Sequence, residues 1–231
     1  MNKEMKILDL EIIDEFSKKY SSALNKDNLK SILVDADNKI YKANIIHSAI
    51  IWIRQCVNEI NKSKAISGSK ELIDLLGLFS LIDILIESTD QIYRVLYKEK
   101  DGVGNKDRMS CFKDVSEPYN ELSDKMYFKE LRALFGAHAV NINAMDNNYQ
   151  RRYADTPRSW CRFANIKFSG KEKGDFYTKA WTPTKNDKDT IYIILRIKEL
   201  EEFAKKRYAL INMFTEKLNE IINDEYCIKR I

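Results

Sequence analysis

The chain has 231 residues, 44% of them hydrophobic and 32% charged, with a net charge of +4. That length accommodates one large domain with a real core, and that balance excludes global disorder. The mildly basic charge is mixed along the chain, so it permits a nucleic-acid partner without requiring one. With only seven Gly and three Pro, long stretches run without a breaker, and the expected fold class is mainly α: a single helical domain over residues 1–231.

The opening segment MNKEMKILDLEIIDEF is charged throughout and lacks the apolar core of an export signal. The four cysteines, Cys56, Cys111, Cys161 and Cys227, are scattered and form no CxxC or Cys/His cluster. A metal site and a cofactor are therefore not expected, and free, buried thiols in a reducing cytoplasm are the simplest reading.

A first helix is expected over roughly residues 6–24, with Leu8, Ile12, Phe16 and Tyr20 repeating every four positions. NKDNLKSILVDADNK reads as a short helix between polar turns. From about Tyr41 to Asn61 a long helix carries two adjacent apolar stripes: Ile46, Ile50, Ile53, Val57 and Ile60, then Ile45, Ala49, Trp52 and Cys56. The pair predicts a wide buried face. His47, within it, has no companion motif and reads as a structural residue.

After the linker KSKAISGSK, Ser69 is a candidate N-cap for a central helix over about residues 70–99. Its run LIDLLGLFSLIDILI is too short and too punctuated by acids to span a membrane. One polar stripe (Ser80, Asp83, Glu87, Asp90, Arg94) is expected to face solvent, the alternative being a cationic partner inside the bundle. The loop KEKDGVGNKDR lacks the Lys-Ser/Thr of a phosphate-binding loop. A further helix is expected from about Ser123 to Ile142.

Beyond it the pattern changes. SWCRFANIKF, DFYTKAW and DTIYIILRI are short, aromatic and β-branched, and are separated by SGKEKG and TPTKNDK turns. They predict a hairpin or three-stranded insertion at about residues 160–197. A long amphipathic helix from about Ile197 to Asp224 closes the chain.

Chemistry concentrates in YFKELRALFGAHAVNI, where five residues separate Arg132 from His138. Histidine titrates near neutrality and can move the proton of a ribose 2′-hydroxyl. Arginine offers a permanent fork to phosphate oxygens. On an ideal helix the two lie about 120° apart and ~9 Å along the axis. Convergence therefore needs either a looser helix at Gly136 or a second copy of the segment across a two-fold axis. The competing reading places His138 on an apolar stripe with Tyr127, Leu131, Leu134 and Ile142, as a packing residue.

This segment resembles the Arg-x4–6-His motif of HEPN-type helical proteins. The order and spacing of LRALFGAHAVNI, SWCRF, GDFYTKAW and ELEEFAKKRYALINMF, over about the C-terminal half, are similar to bacterial HEPN-like proteins. The resemblance implies a metal-independent RNA endonuclease with Arg132 and His138 as catalytic pair. It further implies a homodimer and an antitoxin or defence-system partner. Ala133 stands where active members of that superfamily frequently carry a polar residue, which keeps open a non-catalytic RNA-binding or protein-interaction module.

Downstream, NNYQRRYADTPRSWCRF interleaves Arg151, Arg152 and Arg158 with Tyr153 and Trp160. Guanidinium groups suit phosphates and rings suit unstacked bases, so these five residues are the candidate RNA grip. The alternative is a solvated loop leading into a strand. Asn141 and Asn143 are candidate supports for the histidine, or helix C-capping residues.

Overall fold

The computed structural model describes residues 6–34, 42–100, 102–103, 108–115, 119–137, 158–161, 174–180 and 191–223. These are mainly helical, with one small antiparallel sheet before the last helix. The helices are α1 (Leu10–Ala23), α2 (Asp27–Leu33), α3 (Ala43–Asn61), α4 (Leu72–Tyr97), α5 (Asp124–Arg132) and α6 (Ile197–Asn223). A single 3-10 turn covers Tyr119–Glu121, and a π-helical turn, Ala133–Ala137, continues α5. The strands are β1 (Arg158–Cys161), β2 (Phe176–Ala180) and β3 (Ile191–Leu195), in that order. No helix among the described residues is long and apolar enough to cross a membrane.

The chain forms two compact units. The first comprises residues 1–63, 80–103 and 204–231, and the second residues 64–79 and 104–203. Helices α4 and α6 each contribute one segment to each unit.

In the first unit, Asp9 caps α1 by accepting from the Glu11 N–H at 3.0 Å. Asn61, at the end of α3, accepts from the Ile7 and Leu8 amides at 2.9 Å each and donates to Leu8 O, fastening the segment that leads into α1. Leu8, Ile13, Phe16 and Tyr20 are buried, so Ile13 takes the core position expected of Ile12. On α3 the stripe Ile46, Ile50, Ile53, Val57 and Ile60 is buried throughout. The adjacent stripe is split: Ala49 and Cys56 are buried, whereas Trp52 is 52% exposed. The buried face of α3 is thus narrower than its two apolar stripes suggest.

The polar stripe of α4 is split too. Ser80 and Glu87 are exposed, but Asp90 is 2% exposed and meets Arg207 of α6 at 2.9 Å. A carboxylate this deep would be costly alone, and the paired guanidinium is what makes the position tolerable. Burial pushes the Cys56 thiol up to about 12 and the Tyr208 hydroxyl up to about 12.

The second unit is built on aromatic packing. Phe79 lies 5.7 Å from Phe128 and 6.2 Å from Phe135, and Phe203 lies 5.1 Å from Phe128 and 5.5 Å from Phe112. Ser69 does not cap α4 directly: its hydroxyl accepts from Glu71 N and donates to Asp74. The strands form a three-stranded meander, with Trp160 opposite Thr178 and Thr178 opposite Ile193. Asp175, just before β2, accepts from the Ile197 amide at 2.8 Å and pairs with Lys70, tying the sheet to the start of α6. Gly174 is required beside it, because a Cβ there would overlap the Ile194 side chain.

Candidate functional site

α5 begins at a true cap: the Ser123 hydroxyl accepts from the Met126 amide at 3.2 Å. Asp124, in its first turn, is itself buried and accepts from the Ser110 and Cys111 amides at 2.8 Å each and from the Ser110 hydroxyl. One face of the helix is then sealed by Tyr127, Phe128 and Leu131, all at most 3% exposed. Burial also raises the Tyr127 hydroxyl above its usual range. Arg132, next to Leu131, is on the exposed side, and Lys129, one turn earlier, is exposed as well.

Immediately after Arg132 the backbone widens into the π-helical turn, in which Leu134 and Phe135 are buried at 1% and 2%. An α-helical continuation would keep position 138 in phase with Leu131 and Leu134. The i→i+5 pattern of a π turn shifts that phase, and such turns recur at functional sites. The π turn includes Gly136. Ala133 is 8% exposed, so the position after the arginine is both apolar and largely buried.

The other expected site residues are placed as follows. Arg158 and Trp160 are on β1, where their backbones pair with Ala180 and Thr178. His138, Asn141, Asn143, Arg151, Arg152 and Tyr153 lie outside the described residues. His47 is exposed on α3. Cys56 and Cys111 are buried, as small apolar residues would be. Among the described residues, no group of three or more His, Cys, Asp or Glu side chains is arranged to hold a metal ion.

The sequence reading missed an ionic cluster where β3 passes into α6. Arg196 donates to Glu199 at 2.9 Å, to Asp114 at 2.8 Å and to Lys113 O at 3.4 Å, while Glu199 accepts from the Lys113 amide at 3.1 Å. Burial works against the charge on Arg196, but Glu199 and Asp114 hold its guanidinium above the ordinary value. The cluster is a clasp joining the 113–114 segment to the first turn of α6. An Arg and a Glu three apart at a helix start were its signal.

No family model, curated protein or solved structure matches this chain.

Proposed function

We propose that this chain is a HEPN-like, metal-independent RNA endonuclease working as a homodimer, in a prokaryotic defence or toxin–antitoxin setting in the cytoplasm. Arg132 would stabilise the scissile phosphate, and His138 would act as general base or acid in attack by the 2′-hydroxyl. The products are a 2′,3′-cyclic phosphate, or its hydrolysed form, and a 5′-hydroxyl. Arg151, Arg152, Tyr153, Arg158 and Trp160 would grip single-stranded RNA, with Asn141 and Asn143 supporting the histidine.

One observation supports this reading most. Arg132 is exposed at the end of a helix anchored by the buried Tyr127, Phe128 and Leu131, directly before a π turn. A cation on a rigid support with little to reorganise is the kind of group that stabilises developing phosphate charge. The test is cleavage of single-stranded RNA in EDTA by wild type, Arg132→Ala and His138→Ala, with light scattering for the dimer. Cleavage lost only on adding EDTA, or unchanged in both variants, would refute the reading.

A second reading is favoured by Ala133. Its burial leaves no polar group after the arginine, which suits a non-catalytic HEPN-like module that binds RNA or a protein partner such as an antitoxin. Under it, RNA binding weakens in Arg132→Ala while wild type leaves the RNA intact.

A further inference from the structure

The charged residues of α5 are Asp124, Lys125, Lys129, Glu130 and Arg132. Asp124 and Lys125, in the first turn, are each 3% exposed, so the outer charge of the helix is set by the other three. On an ideal helix Lys129 lies about 60° round from Arg132, whereas Glu130 lies about 160° away. The two cations therefore share a face that the acid does not. Both are exposed, and the Lys129 ammonium makes no hydrogen bond or ion pair among the described residues.

Three positions apart on a helix, their Cβ atoms are separated by about 5–6 Å. That is on the order of one nucleotide step along a nucleic-acid strand. Both cations fall in the last turn of α5, where the helix terminus carries about half a negative charge. Two full positive charges outweigh it, and the face attracts anions.

We propose that Lys129 holds the phosphate adjoining the one that Arg132 meets, so that α5 grips two consecutive phosphates of one RNA strand. The inference rests on the reading of Arg132 as a phosphate-binding residue, and it adds the register of the strand on the helix. Arg132 supplies a planar fork that fixes the orientation of one phosphate. Lys129 supplies a point charge on a flexible stem, which follows the strand without fixing it. Contacts of this kind position the backbone and carry no base preference.

Binding of a fluorescent 2′-O-methyl oligouridine, which cannot be cleaved by 2′-hydroxyl attack, tests this by anisotropy between about 50 and 200 mM salt. Each phosphate contact on a single strand contributes about 0.7 to the slope of log affinity against log salt. Lys129→Gln is expected to lower that slope by ~0.7 and Lys129→Arg to restore it. Lys18→Gln, which removes an exposed cation of the first unit, is expected to leave it unchanged. Competition then counts phosphates. A 2′-O-methyl dinucleoside monophosphate should be weakened by Arg132→Gln alone, whereas a trinucleoside diphosphate should be weakened about 10-fold by either Arg132→Gln or Lys129→Gln. A role for Lys129 in easing the helix dipole would move the melting temperature and leave the slope alone. An unchanged slope in folded Lys129→Gln, or equal weakening of the two competitors by it, would overturn the proposal while leaving the nuclease reading in place. Uncleaved RNA bound with the expected Lys129 dependence would sink the nuclease reading and support the proposal. No binding by wild type would overturn both.

Discussion

Arg207 donates from Nη2 to Asp90 Oδ1 at 2.9 Å across 117 residues of sequence, with the two side chains only 5% and 3% exposed. The same guanidinium donates to Val103 O at 2.8 Å and to the Thr89 hydroxyl at 3.3 Å. One arginine therefore joins α6 to α4 and to the chain just beyond α4, all within the first unit.

Removing one member of this pair leaves a buried charge without its partner. Arg207→Met alone is expected to lower the unfolding free energy by about 3–5 kcal/mol. Replacing both, with Asp90→Leu added, is expected to recover most of that loss, because the desolvation cost of both charges disappears together. Urea denaturation of the two variants and wild type measures this. A double variant as unstable as the single one would show that the pair contributes more than charge compensation.

Gly174→Ala places a Cβ against the Ile194 side chain, with Leu195 O and Phe176 O at 3.3 Å. The backbone neighbours cannot yield easily, so a loss of about 1–3 kcal/mol is expected, as for other overpacking substitutions. Ile194→Ala in the same chain should restore part of it by opening space. Thermal melting of the single and double variants checks the coupling.

Cys56 and Tyr208 are both acids whose folded-state value exceeds the ordinary one, each reaching about 12. The sign follows directly. The unfolded chain releases these protons first, at its lower value, so their contribution to stability is full below that value and is lost as pH rises towards 12. Stability is expected to fall between about pH 9 and 12, from the ordinary thiol range to the folded value. Tyr208→Phe should flatten the upper part of that fall. It should also cost about 1–3 kcal/mol at neutral pH, since Ile13 N and Asp9 O lose the hydroxyl they share. Alkaline titration followed by circular dichroism reads both effects.

The raised thiol has a chemical consequence as well. The thiolate is the reactive form, so Cys56 in native protein should resist iodoacetamide at pH 8 and become labelled only on unfolding. Mass spectrometry after a timed pulse distinguishes the two states. Rapid native labelling at Cys56 would contradict its burial on α3.

For the proposed nuclease, Arg132→Ala and His138→Ala should each reduce RNA cleavage by at least ~10²-fold, the usual scale for removing an acid–base group or a charge that stabilises the transition state. Arg132→Ala should melt within a few degrees of wild type, because an exposed side chain contributes little to stability. If His138→Ala instead melts far earlier and wild type cuts no RNA, His138 is a packing residue.

Local pattern was enough for the elements of this fold. The four-residue spacing before Tyr20, the apolar stripe from Ile46 to Ile60 and the aromatic runs after residue 158 each announce their own secondary structure, because helical and pleated periods repeat within a few residues. Partnership is not local. Trp52 and Cys56 occupy one stripe, yet only Cys56 is buried, since the surface left over after α3 packs determines which of them is covered. Asp90 shares a stripe with exposed Glu87, but Arg207, more than a hundred residues later, supplies the charge that lets it go inside. The Arg132 segment shows the same division. Its residue types are legible as chemistry, whereas the π turn after the arginine and the packing of Phe79 against Phe128 and Phe135 beside it appear only in the folded chain.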